Sequence, residues 1–388
     1  MIRVAVDTLA TRPPSTYRGF FEYTRLILEN FRRIAPEFRA HVSAYVGTDF
    51  AREIAGIPAS DYYSTVCTPS MNHLRRWRFG LGAMRVKRDG NQLLFATHAE
   101  TVTIPGMPYV VMLHDVDFMR FRQYSPLYTV RLYAMHWLSA HSAARILTNS
   151  ECSKRDIVHF LGVPPERVQV IYLGCKHEIY NLNPTLQLEA DLRGRFKIDR
   201  NYILHHGTVQ PRKNLVRLVK AYRQVAADSK MDCDLVIAGN YGWESEDLVR
   251  MAKDTQAPGR VVLTGFLEEN HLAALVKGAS LSIVPSLWEG FCFPMVESMA
   301  CGVPTIVSNN SCFPEVSGGA LRYFDAYSIG EIAETIYTVL QSPTEQERLR
   351  SAGVARAKEF SWDRCARETL QALCDVAKTN ASRPDRSA

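Results

Sequence analysis

Two adjacent cations, Arg212 and Lys213, stand where the sequence predicts the start of a helix. They follow the apolar run 202–205 and precede a segment whose apolar residues have helical spacing. The helix dipole already makes that end positive, so the two side chains raise the free energy there unless an anion neutralises them. Arginine can contact two phosphate oxygens, lysine adds a point charge, and free backbone N–H groups can donate to the others. The pair therefore indicates a diphosphate site, and the alternative is a surface turn with solvated charges.

Two carboxylates flank a second predicted helix start. Glu289 lies in the loop after the apolar run 281–284, and Glu297 lies in the helix that begins near Pro294. A carboxylate accepts hydrogen bonds from neighbouring hydroxyl groups, so Glu297 suits a ribose and Glu289 suits the hydroxyls of a sugar. Attraction to the helix dipole is a simpler explanation of Glu297. The separation of the two acids along the sequence leaves open the opposed carboxyl pair of a hydrolase.

Small and polar residues at other predicted strand and helix ends add to the candidate site. Gly290 allows the backbone to approach a sugar closely, and the three residues after it offer N–H donors. His114 follows the apolar run 109–113, where it can hydrogen-bond a sugar or serve as an ordinary turn residue. Gly19 opens the first predicted helix and can admit a phosphate or an acceptor, although a plain helix start explains it equally well.

Short apolar runs alternate with amphipathic stretches along the chain, which is typical of parallel strands joined by helices. The predicted strands are 2–7, 41–46, 93–96, 109–113, 145–148, 168–172, 202–205, 235–238, 261–263, 281–284 and 305–307. Periodicity is lost between Cys175 and Arg200, which indicates a domain boundary. The sequence thus predicts an α/β protein of two tandem doubly wound domains, residues 1–180 and 181–360, with a cleft between them. Residues 361–388 are expected to form a helix that returns to the first domain, followed by a flexible tail.

The composition narrows the class of protein. Of 388 residues, 46% are hydrophobic and 22% are charged, which is typical of a soluble globular chain. No apolar run approaches the roughly 20 residues that span a bilayer, and Asp7 interrupts what would be a signal peptide, so we expect a cytoplasmic location. Nine cysteines without a Cys-x-x-Cys pair indicate reduced thiols. Neither a Walker A loop nor a Gly-x-Gly-x-x-Gly motif follows a predicted strand, which argues against a dinucleotide-dependent oxidoreductase.

A basic segment from residue 75 to residue 88 interleaves cations with aromatic residues. Its cations are Arg75, Arg76, Arg78, Arg85, Lys87 and Arg88. Such a segment can lie on anionic lipid head groups or on a negatively charged acceptor, and the alternative is a solvated helix face. Nucleic acid is a weaker candidate, because no compact binding module surrounds the segment.

Taken together, these residues resemble glycosyltransferase family 4, the retaining transferases of GT-B fold. The sharpest part of the resemblance is Glu289-x7-Glu297, followed by the run from Ala300 to Pro304, and further matches extend from Gly19 to Trp362. The resemblance implies two Rossmann-like domains, an acceptor-binding one and then a nucleotide-sugar-binding one. Paired glycines are common in the first loop of the family, whereas here two phenylalanines follow Gly19.

The resemblance also implies roles for individual residues. Arg212 and Lys213 would hold the donor diphosphate, and Glu289 and His114 would contact the donor sugar. The substrate-binding set implied by the family pattern is Gly19, Thr208, Asn240, Phe266, Leu267, Gly290, Phe291, Cys292, Phe293 and Glu297. No metal or other cofactor is implied, because the two cations replace it.

The activity implied by the resemblance is retaining transfer of a hexose from a nucleotide-diphosphate sugar to a saccharide or lipid-linked acceptor in bacterial surface polysaccharide synthesis. Mannose from GDP-mannose is the first expectation, and a UDP-sugar is the alternative. Many members of similar pattern act at the inner face of the cytoplasmic membrane, which would suit the basic segment 75–88. Two rivals remain: an epimerase or hydrolase of the same architecture, and an inactive assembly subunit that binds nucleotide-sugars.

Overall fold

The computed structural model describes residues 1–8, 14–47, 57–68, 82–99, 107–121, 124–227, 232–242 and 245–381. Two compact units divide the chain. The first joins Met1–Gly174 with Ser361–Ala388, and the second is Cys175–Phe360. The limits predicted from the sequence are residues 180 and 360.

The first unit contains a parallel sheet of seven strands in the order β3-β2-β1-β4-β5-β6-β7. The strands are β1 Ile2–Asp7, β2 Ala40–Gly47, β3 Tyr63–Thr68, β4 Leu93–Ala96, β5 Tyr109–Met112, β6 Arg145–Thr148 and β7 Val168–Val170. Among the described residues that precede residue 175, the helices are α1 Pro14–Ile34, α2 Gly82–Arg88, α3 Pro126–Ser142 and α4 Glu151–Leu161. The central strands are buried throughout, since helices cover both faces of such a sheet.

The second unit contains a six-stranded parallel sheet in the order β10-β9-β8-β11-β12-β13. The strands are β8 Asn201–His206, β9 Cys233–Ala238, β10 Val261–Gly265, β11 Leu281–Val284, β12 Thr305–Ser308 and β13 Arg322–Phe324. The helices are α5 Leu186–Phe196, α6 Leu215–Ala226, α7 Glu246–Lys253, α8 Glu269–Lys277, α9 Phe293–Ala300, α10 Phe313–Ser317, α11 Ile329–Gln341 and α12 Pro343–Ala357. In both sheets the strand order places β1 or β8 inside the sheet, which is the doubly wound arrangement.

The last helix, α13 Trp362–Ala381, belongs to the first unit. It packs along α1, where Asp363 pairs with Arg33, and Arg367 contacts Glu37 in the turn after α1 at 2.6 Å. Within the ranges that the structure describes, every helix is too short or too polar to span a lipid bilayer.

The predicted fold class is confirmed, because parallel strands alternate with helices in two sheets. Seven of the eleven predicted strands differ from the observed bounds by one or two residues at an end, and other details differ more. Strands β3 and β13 were not predicted, and α1 begins at Pro14, so Gly19 lies in its second turn and does not open the helix. Of the basic segment, residues 75–78 lie outside the described ranges, whereas Arg85, Lys87 and Arg88 are exposed on α2.

Candidate active site

In the second unit, Arg212 and Lys213 lie in a single 3-10 turn, Pro211–Lys213, that follows β8. The α-helix begins two residues later at α6, whose buried side chains include the predicted apolar face. Asn214 separates the turn from α6 and has a left-handed backbone, with φ of 61°. Its amide donates to the carbonyl oxygens of Pro285 and Ala326 at 3.1 and 2.7 Å, so the turn is held against the segment that follows β11.

Glu289 bridges the two cations. Arg212 donates from Nη1 to Glu289 Oε2 at 2.8 Å, and Lys213 donates from Nζ to Oε1 at 2.5 Å. Arg212 also donates to the carbonyl oxygen of Trp288 at 3.1 Å. Lys213 and Glu289 are buried, with exposed fractions of 6% and 5%. The sequence predicts an external anion for this pair of cations, and in the structure Glu289 supplies one negative charge from within the chain.

The electrostatics of this triad hold Glu289 ionised. Burial alone raises the pKa of this carboxyl group, but the charges of Arg212 and Lys213 outweigh that effect and lower the pKa to about 2. Two cations and one carboxylate leave a net charge of +1. A buried excess of positive charge attracts a further anion, because the low local dielectric strengthens the attraction.

The loop between Glu289 and α9 has an unusual backbone. Gly290 and Phe291 are buried, and Cys292 adopts φ of 69°, a left-handed conformation that is costly for a residue with a side chain. Phe293 is half-buried and is the first residue of α9, with Pro294 in the first turn as predicted. Burial raises the pKa of the Cys292 thiol, so the thiol stays protonated and is not an activated nucleophile.

Glu297 contacts a histidine that the sequence analysis did not select. His206 ends β8, and its Nε2 lies 3.1 Å from Glu297 Oε2 on α9. His206 is buried, and its Nδ1 has no hydrogen-bond partner among the described residues. The signal that could have found it is its position, since a polar residue at the carboxyl end of a parallel strand faces the usual ligand site.

The other predicted residues of the second unit lie on three neighbouring turns. Thr208 is exposed, and the carbonyl oxygen of Asn240 accepts a hydrogen bond from the Val209 N–H at 2.8 Å. Phe266 is half exposed, whereas Leu267 is buried, so Leu267 acts chiefly in packing. These turns approach closely: a Cβ atom at Gly239 would come within 1.9 Å of the Gly207 carbonyl oxygen.

In the first unit, His114 lies just after β5 in an aromatic environment. Its ring centroid is 4.6 Å from that of Tyr23 and 4.9 Å from that of Phe20. Burial lowers the pKa of His114 well below its ordinary value, and His98 adds to that effect while a backbone hydrogen bond with Thr97 opposes it. His114 is therefore neutral at pH 7, and its Nε2 has no hydrogen-bond partner in the described part of the chain.

The structure thus brings Arg212, Lys213 and Glu289 into contact and pairs Glu297 separately with His206. Gly19, which was predicted to admit a phosphate or an acceptor, is exposed on α1 of the first unit. Among the described residues, no group of three or more His, Cys, Asp or Glu side chains could hold a metal ion. No disulfide bond joins any of the nine cysteines, all of which lie within the described ranges.

Comparisons with known proteins agree with this geometry. The family models described as Glycosyltransferase Family 4 and Glycosyl transferases group 1 match residues 59–178 and 190–356. The chain is 31% identical over 265 residues to the O-antigen chain mannosyltransferase B of Escherichia coli, covering 68% of this chain and 69% of that one. It is 29% identical over 236 residues to the MMP alpha-(1->4)-mannosyltransferase of Mycolicibacterium hassiacum, covering 60% of this chain and 54% of that one.

A solved structure shares the fold. The crystal structure of HepE from Anabaena in complex with UDP and glucose matches with a TM-score of 0.73 at 18% identity, covering 97% of this chain and all of that one. With both sheets, the Glu289-x7-Glu297 pair and the two family models in agreement, the chain belongs to glycosyltransferase family 4 and is a glycosyltransferase of GT-B fold.

Proposed function

We propose that this enzyme transfers mannose from GDP-mannose to a saccharide or lipid-linked acceptor of a bacterial surface polysaccharide, with retention of the anomeric configuration. The observation that carries the proposal is the triad of Arg212, Lys213 and Glu289, in which Lys213 and Glu289 are buried and Arg212 is partly exposed, and whose net charge of +1 suits a diphosphate. The names of the two curated relatives support mannose, and one of them supports an O-antigen product. The α linkage in the other name supports retention, because GDP-mannose itself carries an α-linked mannose.

The proposed reaction breaks the bond between the anomeric carbon and the phosphate oxygen and forms a bond from that carbon to the acceptor oxygen. The acceptor hydroxyl approaches on the face that the phosphate leaves, and the departing phosphate takes its proton. Negative charge grows on the GDP leaving group, and Arg212 and Lys213 stabilise it. The Lys213 ammonium has three N–H donors and its contact with Glu289 uses one of them.

Glu289 has a second role in this proposal. A carboxylate offers about four lone-pair positions, and the two cations occupy one on each oxygen. The remaining positions can accept hydrogen bonds from donor-sugar hydroxyls, while Glu297 accepts from the ribose. His114 of the first unit, neutral and with Nε2 unpartnered among the described residues, is proposed to contact the donor sugar.

The donor and the stereochemistry can be tested together. The full chain is incubated with GDP-mannose, UDP-glucose and UDP-galactose, each with and without mannosyl oligosaccharide acceptors, and the products are identified by NMR of the anomeric proton. We expect an α-mannoside from GDP-mannose. A β-mannoside would contradict retention. Turnover of a UDP-sugar but not of GDP-mannose would favour a UDP-sugar-dependent transferase, a candidate that the UDP complex of HepE supports. Conversion of the donor sugar into a different sugar in the absence of acceptor would indicate an epimerase.

We further propose that no metal ion takes part, because Arg212 and Lys213 supply the positive charge that a metal would otherwise bring to the diphosphate. Turnover in excess EDTA should then equal turnover in Mg²⁺. Loss of activity in EDTA that Mg²⁺ or Mn²⁺ restores would contradict this part of the proposal.

The proposal places the enzyme in the cytoplasm, at the inner face of the membrane, where nucleotide-sugars and lipid-linked acceptors meet. Arg85, Lys87 and Arg88, exposed on α2, support a contact with anionic head groups.

We predict that His206→Ala raises the KM for the donor about tenfold and leaves kcat nearly unchanged. The reason is that His206 orients Glu297, which in this proposal binds the ribose equally in the ground state and the transition state. Steady-state kinetics at varied donor concentration measure KM and kcat separately. His206→Gln, whose amide can still donate to Glu297, should recover much of the affinity, and His271→Ala on α8 serves as a control. A fall in kcat at unchanged KM would instead assign His206 to the chemical step.

A further inference from the structure

Helix α3 of the first unit exposes an apolar face. Its exposed side chains include Leu127, Val130, Trp137 and Leu138, with exposed fractions of 83%, 64%, 42% and 48%. Residues three, four and seven apart lie on one side of a helix. The face defined by this spacing, called the α3 stripe, consists of Leu127, Val130, Arg131, Ala134, Trp137, Leu138 and His141.

The opposite side of α3 already packs against the protein. Ser139 and Ala140 are buried there, and Leu132 and Tyr133 contact the core of the first unit. A surface helix usually presents polar residues to water on its outer side, and a helix that is apolar on both sides is normally covered on both. The α3 stripe therefore has the composition of a surface that a second body covers.

The charge of α3 favours one kind of partner. The helix contains no aspartate or glutamate, and Arg131 lies in the middle of the stripe. Trp137 stacks on His141 at a centroid distance of 4.1 Å, and Tyr128 is exposed beside the stripe. Tryptophan and tyrosine favour the boundary between hydrocarbon and water, and arginine pairs there with lipid phosphates. A second copy of the chain would instead bring another Arg131 to a face that offers no carboxylate.

We infer that the α3 stripe docks the enzyme on an anionic bilayer, with the helix lying in the plane of the interface. Seventeen residues give a helix of about 25 Å. If the helix lies flat on the bilayer, Leu127 near its start and Trp137 and Leu138 near its end insert at the same depth. The inference deepens the proposed function, because it gives the enzyme access to a lipid-linked acceptor. Its test does not depend on sugar transfer, so either proposal can fail while the other stands.

The test is vesicle flotation with the full-length chain. Vesicles of phosphatidylglycerol and phosphatidylethanolamine are compared with vesicles of phosphatidylcholine alone. We expect the wild type to float with the anionic vesicles, less so at high salt. The Leu127→Ser, Trp137→Ser, Leu138→Ser triple variant should bind at least tenfold more weakly, and Arg131→Gln about fivefold more weakly. Thermal melts verify that the variants are folded.

Two controls complete the design. Leu186→Ser, on α5 of the second unit, removes an equally exposed leucine and should leave flotation unchanged. Donor hydrolysis without acceptor should be the same in all variants, because the stripe lies outside the triad. Equal flotation of the wild type and the folded triple variant would overturn the inference. A wild type that is dimeric without lipid, and becomes monomeric in the triple variant, would overturn it too and identify the stripe as a subunit interface.

Discussion

Replacing Lys213 with alanine is expected to lower kcat by about two to three orders of magnitude, which is the usual cost of one lost donor to a developing anion. The ammonium group is buried, and its charge acts through a medium of low dielectric, so water does not replace it fully. The effect should fall on kcat more than on KM, because the charge on the leaving diphosphate grows as the glycosidic bond breaks. Initial rates with saturating donor measure it.

The matched control is Lys220→Ala, which removes the same charge from an exposed position on α6 and should leave kcat unchanged. Glu289 keeps its contact with Arg212 in Lys213→Ala, so we expect the variant to remain folded, as circular dichroism can verify. A folded Lys213→Ala enzyme with wild-type kcat would remove Lys213 from the reaction.

Glu289→Gln is expected to lower the free energy of unfolding by on the order of 3 kcal/mol at pH 7, in addition to impairing turnover. The pKa of Glu289 is about 2 in the folded chain, below its ordinary value of 4.5. The ionised carboxylate therefore contributes its full stabilisation above about pH 4.5, and this contribution is lost as the pH falls toward 2. Urea unfolding of the wild type and the variant between pH 7 and pH 3 measures the difference.

The difference in free energy of unfolding between wild type and Glu289→Gln should thus be constant from pH 7 to about pH 4.5. Below about pH 4.5 the difference should decrease. Glu334→Gln on α11 replaces an exposed glutamate and should have little effect at any pH. If the difference in free energy of unfolding between wild type and Glu289→Gln does not change with pH, Glu289 stabilises the fold through its shape rather than through its charge.

The central strands were predictable because of where they lie. Strands β1, β4, β6 and β11 have the predicted bounds, since strands covered on both faces are continuous apolar runs that end at polar turns. Two of the four edge strands, β3 and β13, gave a weaker signal. The β3 strand, Tyr63–Thr68, has serine, threonine and cysteine among its six residues, and β13 is only three residues long. Their pairing partners, rather than their own composition, make them strands.

The sequence was enough to predict most residues of the candidate site, but not which of them contact one another. The positions of Arg212, Lys213, Glu289 and Glu297 after strands could be read from the sequence, as the carboxyl ends of parallel strands share one edge of a sheet. The contact of Lys213 with Glu289 spans 76 residues, and that of His206 with Glu297 spans 91. The local periodicity of a sequence does not show contacts between residues so far apart in the chain. In the sequence alone, a histidine at a strand end such as His206 therefore resembles a core residue, because its partner is known only from the fold.

The return of α13 to the first unit has a consequence for biosynthesis. The ion pairs of α13 with α1 and with the turn after α1 join side chains that are 330 residues apart in the chain. At translation rates of about 5 to 20 residues per second, the ribosome delivers the second partner about 15 to 65 s after the first. During that interval the surface of α1 that α13 will cover remains open to chaperones.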